Sequence, residues 1–320
     1  MRFGHNPSCT LRPVRKTLTF LVCVLPGLLA AAQAATLGVS MARFDDNFLT
    51  AVRASMQERA RELNVAIQFE DAQNDIGRQL SQIQNFVAQK VDAIIVNPVD
   101  TDATSRLTRL VARAGIPLVY VNRKPAEAQL PARVSFVGSD ETQSGTLQMT
   151  EVCRLLHGSG AIVILMGELT NQSARQRTQD IYDVIARPQC RGIRVLDKQA
   201  ANWNRTEAAD LMTNWLSAGL RPQAVVANDD EMAIGALQSL KQARLLSGTI
   251  VAGIDATPDG LAALKSGQLA ATVFQNAPAQ GAGAVDTALK LARGEKVPSF
   301  VWVPFELVTR ANLAAYLDRH

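Results

Sequence analysis

Met41-Ala42-Arg43-Phe44-Asp45-Asp46-Asn47-Phe48-Leu49 joins two patterns of different period. Before it, Thr36 to Ser40 is a short apolar run of strand character; after it, Leu49, Val52, Met56 and Ala60 recur at the three- and four-residue spacing of a half-buried helix. A strand entering a helix through a polar loop places that loop at the carboxyl edge of a sheet, where open α/β sheets bind ligands. The loop supplies an aromatic face in Phe44, carboxylates in Asp45 and Asp46, and a guanidinium in Arg43. Two readings stand at this point: recognition of a small polyhydroxylated molecule, or a solvated turn in which Asp46 or Asn47 caps the helix.

Outward from this loop the same alternation continues. Strand-like Val65–Phe69 precedes a helix with Ile76, Leu80, Ile83 and Val87 on one face. Ala93–Val96 precedes a helix carrying Leu107, Leu110, Val111 and Ala114, closed by Gly115. Pro117–Val121 and Val134–Val137 complete a first set. A second set follows: a helix from about Ser144 to Leu156, strand Ala161–Leu165, helix Ala174–Ile185, strand Ile193–Leu196, helix Glu207–Leu216, strand Ala224–Ala227, helix Met232–Ala243, strand Ile250–Ile254, a short helix and strand Ala271–Phe274. A long helix over Pro278–Arg293, a strand near Val301–Val303 and a final helix over Ala311–Leu317 end the chain. Alternating strands and helices imply right-handed βαβ units, hence parallel sheets, and two sets imply two lobes.

Residues 1–35 have the layout of a secretory signal peptide. Arg2, Arg12, Arg15 and Lys16 precede an apolar run from Leu18 to Ala32, and Ala32-Gln33-Ala34 is a small-x-small cleavage site. The chain carries 33 Lys and Arg against 29 Asp and Glu, and removing those four basic residues leaves 29 against 29. The basic character belongs to the signal, so the electrostatic case for nucleic-acid binding falls away. Of the four cysteines, Cys9 and Cys23 leave with the signal; Cys153 and Cys190 remain, either bridged, as an oxidising compartment permits, or as two separate buried thiols.

Catalytic machinery is sparse. His157 is the one histidine outside the signal and the terminus, at the polar end of a helix. One His and two Cys without ligand spacing argue against a zinc site and against a histidine-based triad. Gly158/Gly160 and Gly281/Gly283 do not lie between a strand and the helix it enters, so neither is a phosphate or dinucleotide loop. No enzyme activity, metal or cofactor is expected.

What recurs is a polar residue at a strand's carboxyl end: Asn122-Arg123, Asn228-Asp229-Asp230-Glu231, Asp255 and Gln275. Such groups supply the donors and planar, bidentate acceptors that hydroxyls need. Asp230 or Glu231 is expected to serve the next helix's N-terminus. Asp255 is left free for a ligand, because Thr257-Pro258 already provides a cap and a first-turn proline. Arg177 could equally be a solvated helix face, Trp203 a core residue, and Asn97-Pro98 a turn former.

Together these segments resemble the ribose-binding-protein-like branch of the periplasmic sugar-binding family, the substrate receptors of ABC importers. The resemblance spans Thr36 to about Thr309. It rests on Ile95-Val96-Asn97-Pro98-Val99-Asp100, Ser173-Ala174-Arg175-Gln176-Arg177, Asn228 to Leu237 and Gly253-Ile254-Asp255-Ala256-Thr257-Pro258-Asp259-Gly260. It implies a type I periplasmic binding fold, two Rossmann-like lobes joined by three hinge crossings and closing like a Venus flytrap. The crossings fall near Gly138-Ser139, Gln275-Asn276 and Pro304-Phe305, giving one lobe of 36–138 plus 276–304 and another of 139–275 plus 305–320.

The family's sugar contacts land on Phe44, Asp46, Phe48, Asn122, Arg123, Arg177, Trp203, Asp229, Asp255 and Gln275. Ribose receptors usually have Ser at Ala42, Asp at Asn122, Asn at Asp229 and Phe at Trp203. The hydroxyl pattern read here is therefore expected to differ from that of ribose. The opening loop looks like that of inositol-binding members, with Phe44 and the Trp203 indole expected to flank a six-membered ring. The expectation is a monomeric periplasmic receptor for myo-inositol, delivering it to a membrane permease and available to a chemoreceptor, without nucleic acid. Another monosaccharide (ribose, another pentose or a hexose), a sugar-responsive repressor core, which the export signal disfavours, and a quorum-signal receptor are the alternatives.

Overall fold

The computed structural model describes Met1 and residues 35–319. The expected signal peptide, with Cys9 and Cys23, lies outside the described residues apart from Met1 and Ala35. Strand β1 (Thr36–Met41) and helix α1 (Asn47–Glu62) flank the opening loop, and α1 buries Leu49, Val52, Met56 and Ala60, the four positions its periodicity marks. There follow β2 (Ala66–Asp71), α2 (Ile76–Gln89), β3 (Ala93–Val96), α3 (Thr104–Arg113), β4 (Leu118–Val121) and β5 (Val134–Gly138). The second set comprises α4 (Glu141–Leu155), β6 (Ser159–Met166), α5 (Gln172–Ile185), β7 (Gly192–Ala200), α6 (Arg205–Ser217), β8 (Ala224–Ala227), α7 (Asp230–Gln242), β9 (Ile250–Ala252), α8 (Pro258–Lys265) and β10 (Thr272–Gln275). The chain ends through α9 (Ala277–Ala292), β11 (Phe300–Trp302) and β12 (Phe305–Val308).

The strands form a six-stranded sheet of order β11-β5-β4-β3-β1-β2 and a four-stranded sheet of order β7-β6-β8-β9, with parallel pairs in both. In each, the first strand of the set sits between the second and the third, so strand order reverses at β1/β3 and again at β6/β8. Those switch points are where adjacent loops diverge and leave a crevice. Each sheet is covered on both faces. In the six-stranded half one apolar cluster runs through α1 and α9 and another through α2 and α3; in the four-stranded half the clusters run through α6, α7 and α8 and through α4 and α5. That covering is why the strands read as unbroken apolar runs.

The chain passes between the halves three times. After β5 it enters α4, which packs on α5; after β10 it enters α9, which packs on α1 and under β3, β4 and β5; after β11 it enters β12, which pairs antiparallel with β10. Cys153 of α4 and Cys190 are joined by a disulfide.

Two expectations are corrected. The last helix, expected over Ala311–Leu317, is a single 3-10 turn, Leu313–Ala315, and β12 was not foreseen. Phe305, the first residue of β12, is buried beside Ile254 and Val273. The inward face of α2 is Gln79, Gln82, Ile83 and Phe86, while Ile76 is exposed. The physical reason is polar. The Gln79 amide donates to Asn97 O (3.0 Å) and accepts from Val99 N (2.9 Å), and Gln82 accepts from Ser40 Oγ (2.7 Å) and donates to Asp71 O (2.8 Å). These side chains satisfy the frayed carboxyl ends of β1, β2 and β3, which an apolar face would leave unpaired.

Candidate functional site

Both switch points open into one cavity, lined by Asp46, Phe48, Leu49, Asn122, Arg123, Asn171, Ser173, Arg177, Trp203, Asp229, Asp255 and Gln275. Each wall is built by a loop or helix start at a strand's carboxyl end. Asp46 and Asp229 serve two purposes. Each caps a helix, Asp46 Oδ1 accepting from Leu49 N (2.8 Å) and Asp229 Oδ1 from Met232 N (2.8 Å), and each also lines the cavity. The cap and ligand readings of the opening loop are thus compatible, since one carboxylate oxygen is used and the other is spare. The cap expected of Asp230 or Glu231 belongs to Asp229. Asp230 is instead fully buried, accepting from Thr257 N (2.8 Å) and Thr272 Oγ1 (2.7 Å). Burial pushes its carboxyl up to about 7, against the pull of those hydrogen bonds.

Arg177 is buried and held on three sides. Nε and Nη2 meet Glu141 at 2.8 and 3.1 Å, Nη1 donates to Asn228 O at 2.7 Å, and Nη2 donates to Gln275 Oε1 at 3.2 Å. Burial opposes its charge, but Glu141 and Asp255 outweigh that and raise its pKa. Asp255 lies 3.6 Å from Arg177 Nη1, yet among the described residues its Oδ1 has no hydrogen-bond partner, and Gln275 Nε2 and Trp203 Nε1 are likewise buried without one. Burial holds the Asp255 carboxyl well above the ordinary range, Arg177 opposing and Asp229, Asp230 and Asp46 adding to the rise. Asp229 is raised in the same way, burial first and Asp46 among the contributors. Asp255 also has φ of 110°, a backbone region that costs a non-glycine residue energy and that clusters at ligand sites.

Trp203 reaches the cavity because Gly167 lacks a side chain: a Cβ there would lie 2.1 Å from the indole. The Arg177 guanidinium stands 5.6 Å from the same ring. On the other wall Asn122 is locked by Asn97 Nδ2 (3.3 Å) and by its own donation to Gln280 Oε1 (3.2 Å). Asn97 thus braces the site as well as shaping its turn.

Of the ten expected contacts, nine line this cavity. Phe44 does not; its ring lies under the Arg53 guanidinium at 3.9 Å and borders a neighbouring recess with Arg43, Asp45, Asp71, Gln73 and Asn74. The aromatic ring that shares the cavity with Trp203 is Phe48. Leu49, Asn171 and Ser173 were not foreseen. Asn171 caps α5, accepting from Ser173 N (3.0 Å); it lies beyond Gly167-Glu168-Leu169-Thr170 after β6, too far along the loop for the strand-end rule to find.

The lining offers acceptors from three carboxylates, donors from two guanidiniums, amide groups able to do both, and two aromatic faces. That is equipment for reading hydroxyls on a small ring. Among the described residues no group of three or more His, Cys, Asp and Glu is arranged to hold a metal, and no helix is long and apolar enough to cross a membrane.

Two parallel sheets, three crossings and a polar cavity between opposed switch points define a type I periplasmic binding protein. The chain belongs to that family: residues 37–296 match the model of the periplasmic binding protein domain. It is 56% identical over 293 residues to the "Putative rhizopine-binding protein" of Rhizobium meliloti, covering 91% of this chain and 95% of that one. It is 34% identical over 290 residues to the xylitol-binding protein of Mycolicibacterium smegmatis, covering 90% and 81%. Among solved structures, an ABC transporter solute binding protein from Bacillus halodurans with bound myo-inositol is 42% identical, with a TM-score of 0.85 over 89% of this chain and 98% of that one.

Proposed function

We propose that this chain is the exported receptor of an ABC importer, closing around one neutral cyclic polyol, myo-inositol or a close derivative, and handing it to a membrane permease. The observation that carries the reading is the cavity lining. Asp46, Asp229 and Asp255 line one cavity with Arg123, Arg177, Asn122 and Gln275, and Phe48 and Trp203 add apolar planes. Buried polar groups that lack protein partners discriminate stereoisomers, because a misplaced hydroxyl leaves one unpaired at a cost of about 1–3 kcal/mol. Relatives named for rhizopine, an inositol derivative, and for myo-inositol support the ring size. The protein acts as a receptor without catalysis, in the periplasm, after loss of residues 1–35. The lobes are 36–138 with 276–304, and 139–275 with 305–320, hinged at the three crossings. The xylitol-binding relative favours a second reading, an acyclic or smaller polyol in the same cavity.

Thermal-shift screening of the mature protein against cyclitols, pentitols, pentoses and hexoses tests both. A ligand at a hundredfold its Kd adds about 2.7 kcal/mol to stability and raises Tm. Myo-inositol is expected to give the larger shift; a larger one with xylitol favours the second reading, and none with any polyol or sugar removes both.

A further inference from the structure

The segment between β6 and α5 belongs to the four-stranded half, yet its Glu168 is fastened to the other half. Glu168 Oε1 accepts from Asn74 Nδ2 (2.8 Å) and Arg43 Nη1 (3.3 Å), and Oε2 lies 3.4 Å from Arg123 Nη2. These partners sit on three different loops, after β1, β2 and β4, so one carboxylate gathers the rim of the six-stranded half. Beside it, Thr101 N and Oγ1 donate to Thr170 O (3.1 and 3.0 Å), and Gln172 N donates to Thr101 Oγ1 (3.0 Å).

The partners differ in how much they depend on Glu168. Arg43 has a second carboxylate, Asp45, at 2.6 Å, and its side chain is 18% exposed. The Arg123 side chain is 3% exposed; among the described residues its ion-pair partner is Glu168, and its other hydrogen bond runs to Pro98 O at 3.3 Å. Asp46 acts on it only at longer range. A desolvated guanidinium left with one carbonyl is costly, so Arg123 is fully compensated only while the halves are together.

We propose that Glu168 is a positioning residue that latches the two halves and holds Arg123 against the bound ligand, so that it sets how fast the ligand leaves. This rests on the closing-receptor reading above. Opening must part Glu168 from Asn74, Arg43 and Arg123 together, whereas the encounter of ligand with the open form does not involve the latch. Loss of a desolvated charge pair raises the dissociation rate; loss of a rim charge that merely steers changes the association rate and its salt dependence.

The test uses the mature chain and myo-inositol, with stopped-flow tryptophan fluorescence reporting through Trp203. Glu168→Gln is expected to raise the dissociation rate about tenfold with the association rate within about twofold of wild type. Arg43→Gln is expected to change dissociation less than about threefold, since Arg123 keeps its partner. Glu168→Asp should fall between wild type and Glu168→Gln and serves in place of the latter should that variant lower the ligand-free Tm. Small-angle scattering of the ligand-free proteins supplies a readout needing no ligand: Glu168→Gln is expected to show the larger radius of gyration. A wild-type dissociation rate together with an unchanged radius overturns the latch, as does a loss confined to salt-dependent association. Failure of wild type to bind myo-inositol strikes the functional reading instead, and the scattering comparison then decides the latch alone.

Discussion

Replacing Asp255 by Asn separates what this residue does for the ligand from what it does for the fold. Asp255 is 8% exposed, among the described residues its Oδ1 has no hydrogen-bond partner, and the neighbouring cation Arg177 is already bound bidentately by Glu141. Removing the charge therefore strands nothing: Arg177 keeps Glu141, Asn228 O and Gln275. It also relieves a desolvated carboxylate whose pKa is raised by burial and by Asp229, Asp230 and Asp46. The backbone tolerates the change, since Asn accepts the positive φ found at this position as readily as Asp. The ligand-free protein should be as stable as wild type or more so, by up to about 1 kcal/mol, or roughly 2–3 °C in Tm for a chain of this size.

Binding should move the other way. A hydrogen bond from a ligand hydroxyl to a charged acceptor contributes about 1.5–3 kcal/mol, so its loss predicts Kd higher by about one to two decades. Calorimetric titration with myo-inositol and a thermal melt of the ligand-free protein read both quantities. A Kd equal to wild type would refute the assignment of Asp255 to the site. A large fall in ligand-free Tm would refute the claim that its carboxylate is poised for a ligand rather than for the fold.

Trp203→Ala removes one aromatic wall and should weaken polyol binding roughly tenfold to a hundredfold by the area it uncovers, measured by the same titration. Asp230 offers a pH test. Its folded pKa, about 7, stands above the ordinary 3.8, so its contribution to stability is fully present below pH 3.8 and is lost as pH rises through 7. Wild-type stability relative to Asp230→Asn should therefore fall between pH 4 and 8, read by denaturant unfolding at each pH. Cys153→Ser with Cys190→Ser opens a bridge spanning 37 residues of sequence and should cost about 2–4 kcal/mol, seen as a lower Tm that reductant no longer changes.

Where one force decided a residue's place, the chain was readable. Apolar periodicity set the inward face of α1 at Leu49, Val52, Met56 and Ala60, and the unbroken apolar runs marked β3 and β8 to the residue. Reading failed where polar and apolar demands compete. On α2 the apolar residues point one way on a helical wheel, but the strand ends beneath need amides, and Gln79 and Gln82 are inside while Ile76 is out. Phe44 and Phe48, both expected at the ligand, lie four residues apart around a helix start, and Phe48 lines the cavity while Phe44 borders the neighbouring recess. Glu141 and Glu168 follow the ends of β5 and β6, but nothing local marks them as ion-pair partners, because Arg177 and Arg123 lie far along the chain.

The wiring behind the cavity links it to the crossings. Arg177 is bound on one side by Glu141, three residues after β5 ends, and on the other by Gln275, the last residue of β10. On the opposite wall Asn122 donates to Gln280 of α9, and Gln280 donates to Ser139 at 3.0 Å, in the first crossing itself. A cavity residue on each wall thus shares hydrogen bonds with the chain at or beside the crossings. On the proposed closing reading, a ligand that fixes Arg177 and Asn122 would also fix the backbone beside the crossings and would thereby favour the closed form over the open one. That differential, and not tight contact as such, is what allows a ligand to shift a conformational equilibrium. Under that same reading, a polar pocket with its anchors tied only within one sheet would bind its ligand and transmit nothing to a partner that reads closure.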